Sequence, residues 1–327
     1  MCKSDYVSTE NMLQDFRGIC RYTTSEKIAG IEFEKQNLLL ANIRPYLKKV
    51  WFANFSGAAS TDVLVLKATT IVPGFLKHII ANESFISYVM SAVKGSKMPR
   101  GDKSHILNYT LGMPCHDEQQ KIADFLSLVD ERIEKQRQLV EVLKRYKRGL
   151  LAHIFNNIQS ENILSLGSVC NITTGKLDAN AMTPNGKYRF YTCAKEYYQI
   201  DKYAFDTEAL LISGNGANVG YIHHYKGKFN AYQRTYVLDS FHEEIMYVYY
   251  YLQAYLHPHI ESEKKAGNTP YIVLSTLAEM KIPFPSKDVQ SRIAQALSII
   301  DLRINCEQTV LNNLDKQKSG LLQQMFI

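Results

Sequence analysis

Apolar residues recur at alternating steps of four and three through Ile122, Leu126, Val129 and Ile133, pass a polar Gln136, and continue through Val140, Leu143, Lys147, Leu150 and Ile154. This rhythm predicts one long amphipathic helix between Pro114 and Phe155, with a seam of the coiled-coil type. The same rhythm returns between Pro285 and Phe326 as Ile293, Leu297, Ile300, Ile304, Glu307, Leu311, Leu314, Lys318, Leu321 and Met325, displaced by 171 residues without a gap. Even the polar interruptions coincide. Identities at this offset include Asp117/Asp288, Gln119/Gln290, Ala123/Ala294, Ser127/Ser298, Asp130/Asp301 and Arg132/Arg303, and Lys147-x-Gly149-Leu-Leu151 recurs as Lys318-x-Gly320-Leu-Leu322. Asp117 and Asp288 are placed as N-terminal caps or first-turn acids.

Shorter patterns precede each helix. Leu38–Ala41 and Val63–Leu66 are apolar runs of strand length, followed by a helix pattern from about Phe75 to Val93. Ahead of the second long helix, Ala209–Ile212, Val219–Ile222 and Thr235–Leu238 are strand-like around a Ser213-Gly-Asn-Gly216 turn, and Ile245–Tyr255 follows as a helix. The chain is therefore expected to be α/β, with four parts: a first domain over 1–113, a spacer helix over 114–157, a second domain over 158–284 and a second spacer helix over 285–327. A repeated domain-plus-helix unit makes a pseudo-two-fold object from one polypeptide.

Length decides how the helices pair. A helix from Asp117 to Phe155 is about 58 Å long, whereas the 127 residues over 158–284 form a body with a radius of gyration of roughly 14 Å. Such a body links the end of one helix to the start of an antiparallel partner more easily than to that of a parallel one. In an antiparallel coiled coil Ile122 lies near Leu321, Leu150 near Ile293, and Gln136 meets Glu307 at the centre as a register-fixing polar layer. Leu126, Ile133, Leu297 and Ile304 complete the expected seam.

Hydrophobic content of 46% against 21% charged residues suits a soluble chain, and no apolar run reaches the roughly 18 residues that span a bilayer. The start, Met1-Cys-Lys-Ser-Asp-Tyr6, lacks the apolar core of a secretory signal. The six cysteines stand far apart without a C-x-x-C pair, so a reducing, cytoplasmic setting is expected. The net charge of +6 is uneven: residues 1–113 carry 14 Lys and Arg against 9 Asp and Glu, and residues 158–284 carry 11 against 12. A basic first domain is compatible with a polyanionic partner.

The segments Asp117-Glu-Gln119-Gln-Lys-Ile122 and Asp288-Val-Gln290-Ser-Arg-Ile293, each followed by a Leu-Ser-x-x-Asp-x-Arg-Ile helix, resemble those of the specificity subunit of a type I restriction-modification system. So do Leu166-Gly-Ser-Val-Cys-Asn-Ile-Thr-Thr-Gly175-Lys176 and Ala209-Leu-Leu-Ile-Ser213-Gly. The resemblance covers essentially the whole chain. It implies two target recognition domains that each read half of a split double-stranded DNA site, and helices that space the readers and dock modification subunits. It also implies that catalysis, with S-adenosylmethionine, ATP and Mg²⁺, resides on partner modification and restriction subunits, and that no cofactor binds this chain.

For DNA contact the expected residues in the first domain are Arg44, Tyr46, Lys48 and Lys49, with Lys94, Lys97, Arg100 and Lys103 before the long helix. In the second they are Lys176, Asn215, Asn218, Lys226, Lys228, Gln233, Arg234, Lys264, Lys265 and Asn268. The second domain holds 15 of the 21 tyrosines, read as core or sheet surface. Enzymatic motifs fail on inspection. Asn268-Thr-Pro-Tyr271 departs from the Asn-Pro-Pro-Tyr loop of adenine methyltransferases at its second residue. Thr174-Gly175-Lys176 lacks the upstream glycine and the following Ser or Thr of a phosphate loop. His223-His224 and His257-Pro-His259 lack partners at metal-ligand spacing and are read as surface histidines.

At the 171 offset Met1 faces Ile172, so the segment Leu164–Asn171 has no counterpart in the first unit. The first reader is expected to be N-terminally shortened, as a working domain, through a misassigned start, or as a silent cassette. A coiled-coil interaction protein without DNA binding is the alternative from another class.

Overall fold

Both heptad seams fold as continuous helices in the computed structural model, which describes all residues except 1–3, 21–22, 26–29, 96, 264–270 and 327. The polypeptide divides into two compact units. One comprises Met1–Gln138 with Gln308–Ile327, and the other Leu139–Glu307. Both long helices therefore change unit near their middles. Among the described residues no helix is long and apolar enough to cross a membrane.

In the first unit the strands are β1 (Ser4–Val7), β2 (Thr23–Ser25), β3 (Ile31–Phe33), β4 (Leu38–Ala41), β5 (Val50–Phe52), β6 (Gly57–Ala59) and β7 (Val63–Leu66). They hydrogen-bond in the orders β2-β1-β6-β3 and β5-β4-β7. Helices α1 (Pro73–Ile80), α2 (Glu83–Met90) and α3 (Lys103–Leu107) lead into α4 (His116–Asn156). The helix pattern read over Phe75–Val93 is thus two helices. Asn82 interrupts it by accepting the Ser84 N–H on its side chain at 3.1 Å, which caps α2 and ends α1. Since α4 begins at His116, Asp117 is a first-turn acid and not a cap.

After α4 come β8 (Ile163–Ser165), α5 (Leu166–Val169), β9 (Asn171–Thr174), β10 (Tyr188–Tyr191), β11 (Tyr198–Ile200), β12 (Phe205–Ser213), β13 (Ile222–Ala231) and β14 (Thr235–Asp239). They are followed by α6 (Ile245–Glu263), α7 (Leu274–Ala278), β15 (Lys281–Pro283) and α8 (Lys287–Met325). The second unit's sheet runs β11-β10-β13-β12-β14-β9, with β15-β8 beside it. Val219–Tyr221, read as strand, lies in a turn, where Gly216 and Gly220 take φ of +79° and +80°.

The sheets repeat one another in register. Leu38↔Leu66 through Ala41↔Val63 in the first unit becomes Leu210↔Leu238 through Ser213↔Thr235 in the second, a displacement of 172 residues. The parallel pairing of β1 with β6 is matched by that of β10 with β13. What the second unit adds is β8, α5 and β9. β9 pairs with the outer edge of β14, and among the described residues no strand pairs with the equivalent edge of β7. Gly175, which follows β9, is required by packing: a Cβ there would lie 1.9 Å from the Ala231 carbonyl oxygen.

Each sheet packs one face on its domain helices. In the second unit Leu210, Ile212 and Leu238 join Tyr247, Val248 and Leu256 of α6, together with Leu151 and Phe155 of α4 and Leu297 of α8. In the first unit Leu38, Leu40 and Val50 join Phe75 and Ile79 of α1, Ala123 of α4, and Phe326, whose ring lies 5.4 Å from that of Phe75.

The helices pack antiparallel, and half-buried ion pairs fix the contact in each unit. In the first, Asp130 of α4 accepts from Lys318 of α8 at 2.6 Å and from Lys77 of α1 at 2.5 Å. Burial opposes its charge, yet Lys318 and Lys77 hold its carboxyl below the usual range. In the second, Asp301 of α8 accepts from Lys147 of α4 at 2.6 Å and from the Tyr250 hydroxyl at 2.9 Å. The polar seam positions Lys147 and Lys318 are thus the cationic halves of two equivalent pairs.

Gln119 and Gln290 attach the sheets to the helices. Gln119 accepts the Val72 N–H at the start of α1 (3.0 Å) and donates to the Pro114 carbonyl (3.0 Å). Gln290 accepts the Glu244 N–H at the start of α6 (3.2 Å) and donates to the Pro285 carbonyl (2.8 Å). Both are buried, and each satisfies an amide that the first turn of a helix leaves unpaired. Gln119→Ala and Gln290→Ala are each expected to destabilise their own unit by about 1–3 kcal/mol, read as a lowered urea midpoint.

His78 of α1 is fully buried, and neither ring nitrogen closes a well-formed hydrogen bond. Burial, then Lys77 and Lys318, push its pKa down to about 4, with Asp130 opposing. The folded unit holds the ring neutral, whereas the unfolded chain takes up a proton near pH 6.5. Stability present above pH 6.5 is therefore lost as pH falls towards 4, about 2 kcal/mol of it between pH 7 and 5. His78→Leu is expected to remove that share of the pH dependence, measured as urea midpoints at pH 7 and 5.

Candidate nucleic-acid interface

Two basic segments far apart in sequence meet in the first unit. The loop after β4 carries Arg44 and Lys48 in left-handed backbone conformation (φ 51° and 54°) around a short helical turn at Pro45–Leu47. It is hydrogen-bonded to the segment before α3: Arg44 N–H donates to the Pro99 carbonyl (2.8 Å) and Gly101 N–H to that of Asn42 (3.1 Å). Arg44, Tyr46, Lys97 and Arg100 consequently lie exposed on adjoining loops. The second unit repeats the join. Ile272 N–H donates to the Gly214 carbonyl (2.8 Å), and Asn215 bridges Tyr271 as Ile43 bridges Arg100. Lys264, Lys265 and Asn268 lie outside the described residues.

Several of the expected contact residues have partners within the protein. Lys48 pairs with Glu83 (2.6 Å), Arg100 with Asp62 (2.9 Å) and Lys226 with Glu208 (3.0 Å). Lys94 pairs with Asp102, and its hydrogen bond holds that carboxyl below its usual range. Lys49 donates to the Thr9 carbonyl (2.6 Å), and Lys228 lies 3.9 Å from Asp206. Arg44, Lys97, Lys103, Lys176 and Arg234 are exposed and form no ion pair among the described residues. Asn218 donates to the Cys193 carbonyl (3.0 Å), and the Arg234 carbonyl accepts from Gly214 N–H (2.9 Å), so Asn215, Asn218 and Arg234 share one corner of the sheet. Gln233 is exposed next to Arg234. Lys226 lies away from that corner, opposite Glu208 on β12.

His223 is not a surface residue. It is half-buried, burial lowers its pKa, and its Nε2–H donates to the Ala194 carbonyl (3.0 Å). His259 likewise donates to the Thr276 carbonyl at 3.0 Å. Among the described residues no group of three or more His, Cys, Asp and Glu is arranged to hold a metal ion. The five described cysteines are free thiols, and burial pushes that of Cys170 up to about 12.

Of the expected seam residues, Leu126, Ile133, Leu297 and Ile304 are buried, and Ile133 clusters with Leu311 and Leu314. Ile122 packs on the first unit's core, and Leu150 and Ile293 on that of the second. Gln136 and Leu321 are half-buried, and Glu307 is buried with Arg303 at 2.7 Å.

One cluster escaped the sequence reading. On the sheet face opposite α6, Arg189 of β10 lies over two tyrosine rings, 4.3 Å from the centre of Tyr197 and 4.4 Å from that of Tyr225. Its Nη1 donates to the Tyr191 hydroxyl at 3.3 Å. Beneath it Tyr191, Phe229, Leu211 and Val237 form a small second core. The alternation Lys187-Tyr-Arg189-Phe-Tyr191 carried the signal, since a strand sends Arg189 and Tyr191 to one face and Tyr188 and Phe190 to the other.

Residues 3–145 and 161–316 match the family described as type I restriction modification DNA specificity domain. The chain is 35% identical over 151 residues to the type I restriction enzyme EcoDI specificity subunit of Escherichia coli, covering 46% of this chain and 33% of that protein. It is 23% identical over 278 residues to the MjaVIII specificity subunit of Methanocaldococcus jannaschii, covering 72% and 65%. The match thus spans a third of the first relative's length and less than two thirds of the second's. In fold, the chain resembles the S subunit of a type I restriction-modification system from M. genitalium, with a TM-score of 0.67, 18% identity and coverage of 100% and 93%. A chain from a type I R-M system studied for complex assembly follows at 0.60, with 18% identity and coverage of 99% and 91%. With both domain-plus-helix repeats inside the family match, the chain belongs to the type I restriction modification DNA specificity family.

Proposed function

We propose that this chain is the DNA-recognition subunit of a type I restriction-modification enzyme. Each unit reads one half of a split duplex target, and the helices dock modification subunits that carry out the methyl transfer. S-adenosylmethionine, ATP and Mg²⁺ then belong to the partner subunits. The observation that carries this reading is the repeated join of the loop after β4 or β12 to the segment before α3 or α7. The same scaffold offers different side chains in the two units: Arg44, Lys97 and Arg100 in one, Asn215 and Asn218 in the other. Equivalent frames with different contact residues suit the reading of two unlike half-sites.

The helices supply the docking argument. Leu128 and its repeat mate Ile299 are each 66% exposed, and Leu139 and Val310 are 38% and 37% exposed. Apolar side chains left in solvent at matching positions suit two copies of one partner. Leu128→Asp and Ile299→Asp lie on exposed faces, where substitutions alter stability by about 0.5 kcal/mol at most. Each is expected to reduce the complex from two modification subunits to one, as mass photometry would count.

The direct test is co-expression with a modification subunit and mapping of adenine methylation across the host genome by long-read sequencing. A bipartite motif is the expected result. A stable complex that leaves the genome unmethylated and binds duplex DNA with no salt dependence would overturn the reading, since phosphate contacts weaken steeply with salt.

A further inference from the structure

Outside the loops discussed above, the second unit holds a cationic side chain arranged as few surface arginines are. Arg189 is held over the rings of Tyr197 and Tyr225 and pinned at Nη1 by the Tyr191 hydroxyl. No carboxylate pairs with it among the described residues, whereas Lys48, Lys94, Arg100 and Lys226 are all neutralised by acids. The clamp itself rests on buried rings. Tyr191 and Phe229 meet edge to face at 5.9 Å, and Phe205 stacks on Phe229 at 5.1 Å. A cavity of about 380 Å³ opens over the guanidinium, lined also by Lys187, Gln199 and Lys228.

Two costs that normally burden an arginine contact are therefore met in advance. The side chain has already given up rotamer freedom, and its guanidinium already rests on aromatic surface. Apart from the Nη1 bond to Tyr191, its N–H donors form no hydrogen bond among the described residues, and the side chain lines the cavity. A fixed planar fork suits a bidentate acceptor of fixed geometry, and the guanine O6/N7 edge in the major groove is the DNA acceptor that arginine fits best. Backbone phosphate asks only for positive charge, which Lys187 and Lys228 on the rim supply with flexible stems.

We propose that Arg189 is a specificity-determining residue that reads a guanine edge in the half-site served by the second unit, with Tyr197 and Tyr225 as its positioning residues. This rests on the DNA-recognition function proposed above. The purified complex with modification subunits is tested against duplexes that carry the wild-type motif or single base-pair changes. For the wild-type chain, exchanging one G·C pair of one half-site for A·T weakens binding roughly ten- to a hundredfold. Arg189→Lys keeps the charge but removes the fork, and is expected to abolish that preference while leaving every other position and the other half-site unchanged. Tyr197→Ala, at an exposed ring, removes one of the two rings that hold the guanidinium and is expected to erode the same preference in part.

Uniform weakening of all duplexes by Arg189→Lys, with a shallower salt dependence, would identify a phosphate contact and overturn the proposal. Unchanged recognition in both variants would overturn it equally. A wild-type complex without any sequence preference would instead count against the DNA-recognition function itself.

Discussion

The first unit does not complete its core from one continuous stretch of chain, and the pairing of α4 with α8 is what supplies the missing part. Phe326, Leu311 and Leu314 reach the first unit from the far end of the sequence, whereas Leu151 and Phe155 of α4 and Leu297 of α8 close the core of the second from the two ends of its own stretch. The Asp130–Lys318 and Asp301–Lys147 pairs set the register of this exchange. Partly buried ion pairs of this sort contribute little net stability but penalise mispairing heavily, because a slipped register strands a charge away from water. The apolar seam holds the helices together, and the ion pairs select which residues meet.

Within this frame the sheets carry variation. The two units share strand register at a displacement of 172 residues while sharing few side chains on the exposed loops. The first unit lacks counterparts of β8, α5 and β9 among its described residues, yet its core of Leu38, Leu40, Phe75 and Phe85 is as buried as that of the second. The equivalent strands β4 and β12 each pair on both sides.

The long helices were legible because heptads repeat over many turns, so that no single ambiguous residue decides. Leu38–Ala41 and Val63–Leu66 were legible because buried strands are written as short apolar runs. The break at Asn82 was hidden, since a lone Asn in an apolar pattern reads as a tolerated helix residue until its side chain is seen on the Ser84 amide. The turn at Val219–Tyr221 was mistaken because apolar side chains there cover α6 without belonging to a strand. Contact residues were the least legible. Lys48 meets Glu83 thirty-five positions away, and the neutralisation of a surface lysine by so distant an acid leaves no local pattern. Arg189 acquires its setting only when β13 lies beside β10 and brings Tyr225 to the same face.

The attachments made by Gln119 and Gln290 have a consequence for how such a chain diversifies. Each glutamine grips backbone: the amides of Val72 and Glu244 and the carbonyls of Pro114 and Pro285. A backbone amide is the same whatever side chain it carries, so these backbone joints do not depend on the side chains of Val72 and Glu244, and only the Gln290 contact with the Glu243 carboxylate (2.7 Å) is a side-chain one. A domain of foreign sequence would find its backbone mooring intact wherever the chain returned to the same path at those points. Heritable novelty then accumulates in the domains with no matching change in the helices.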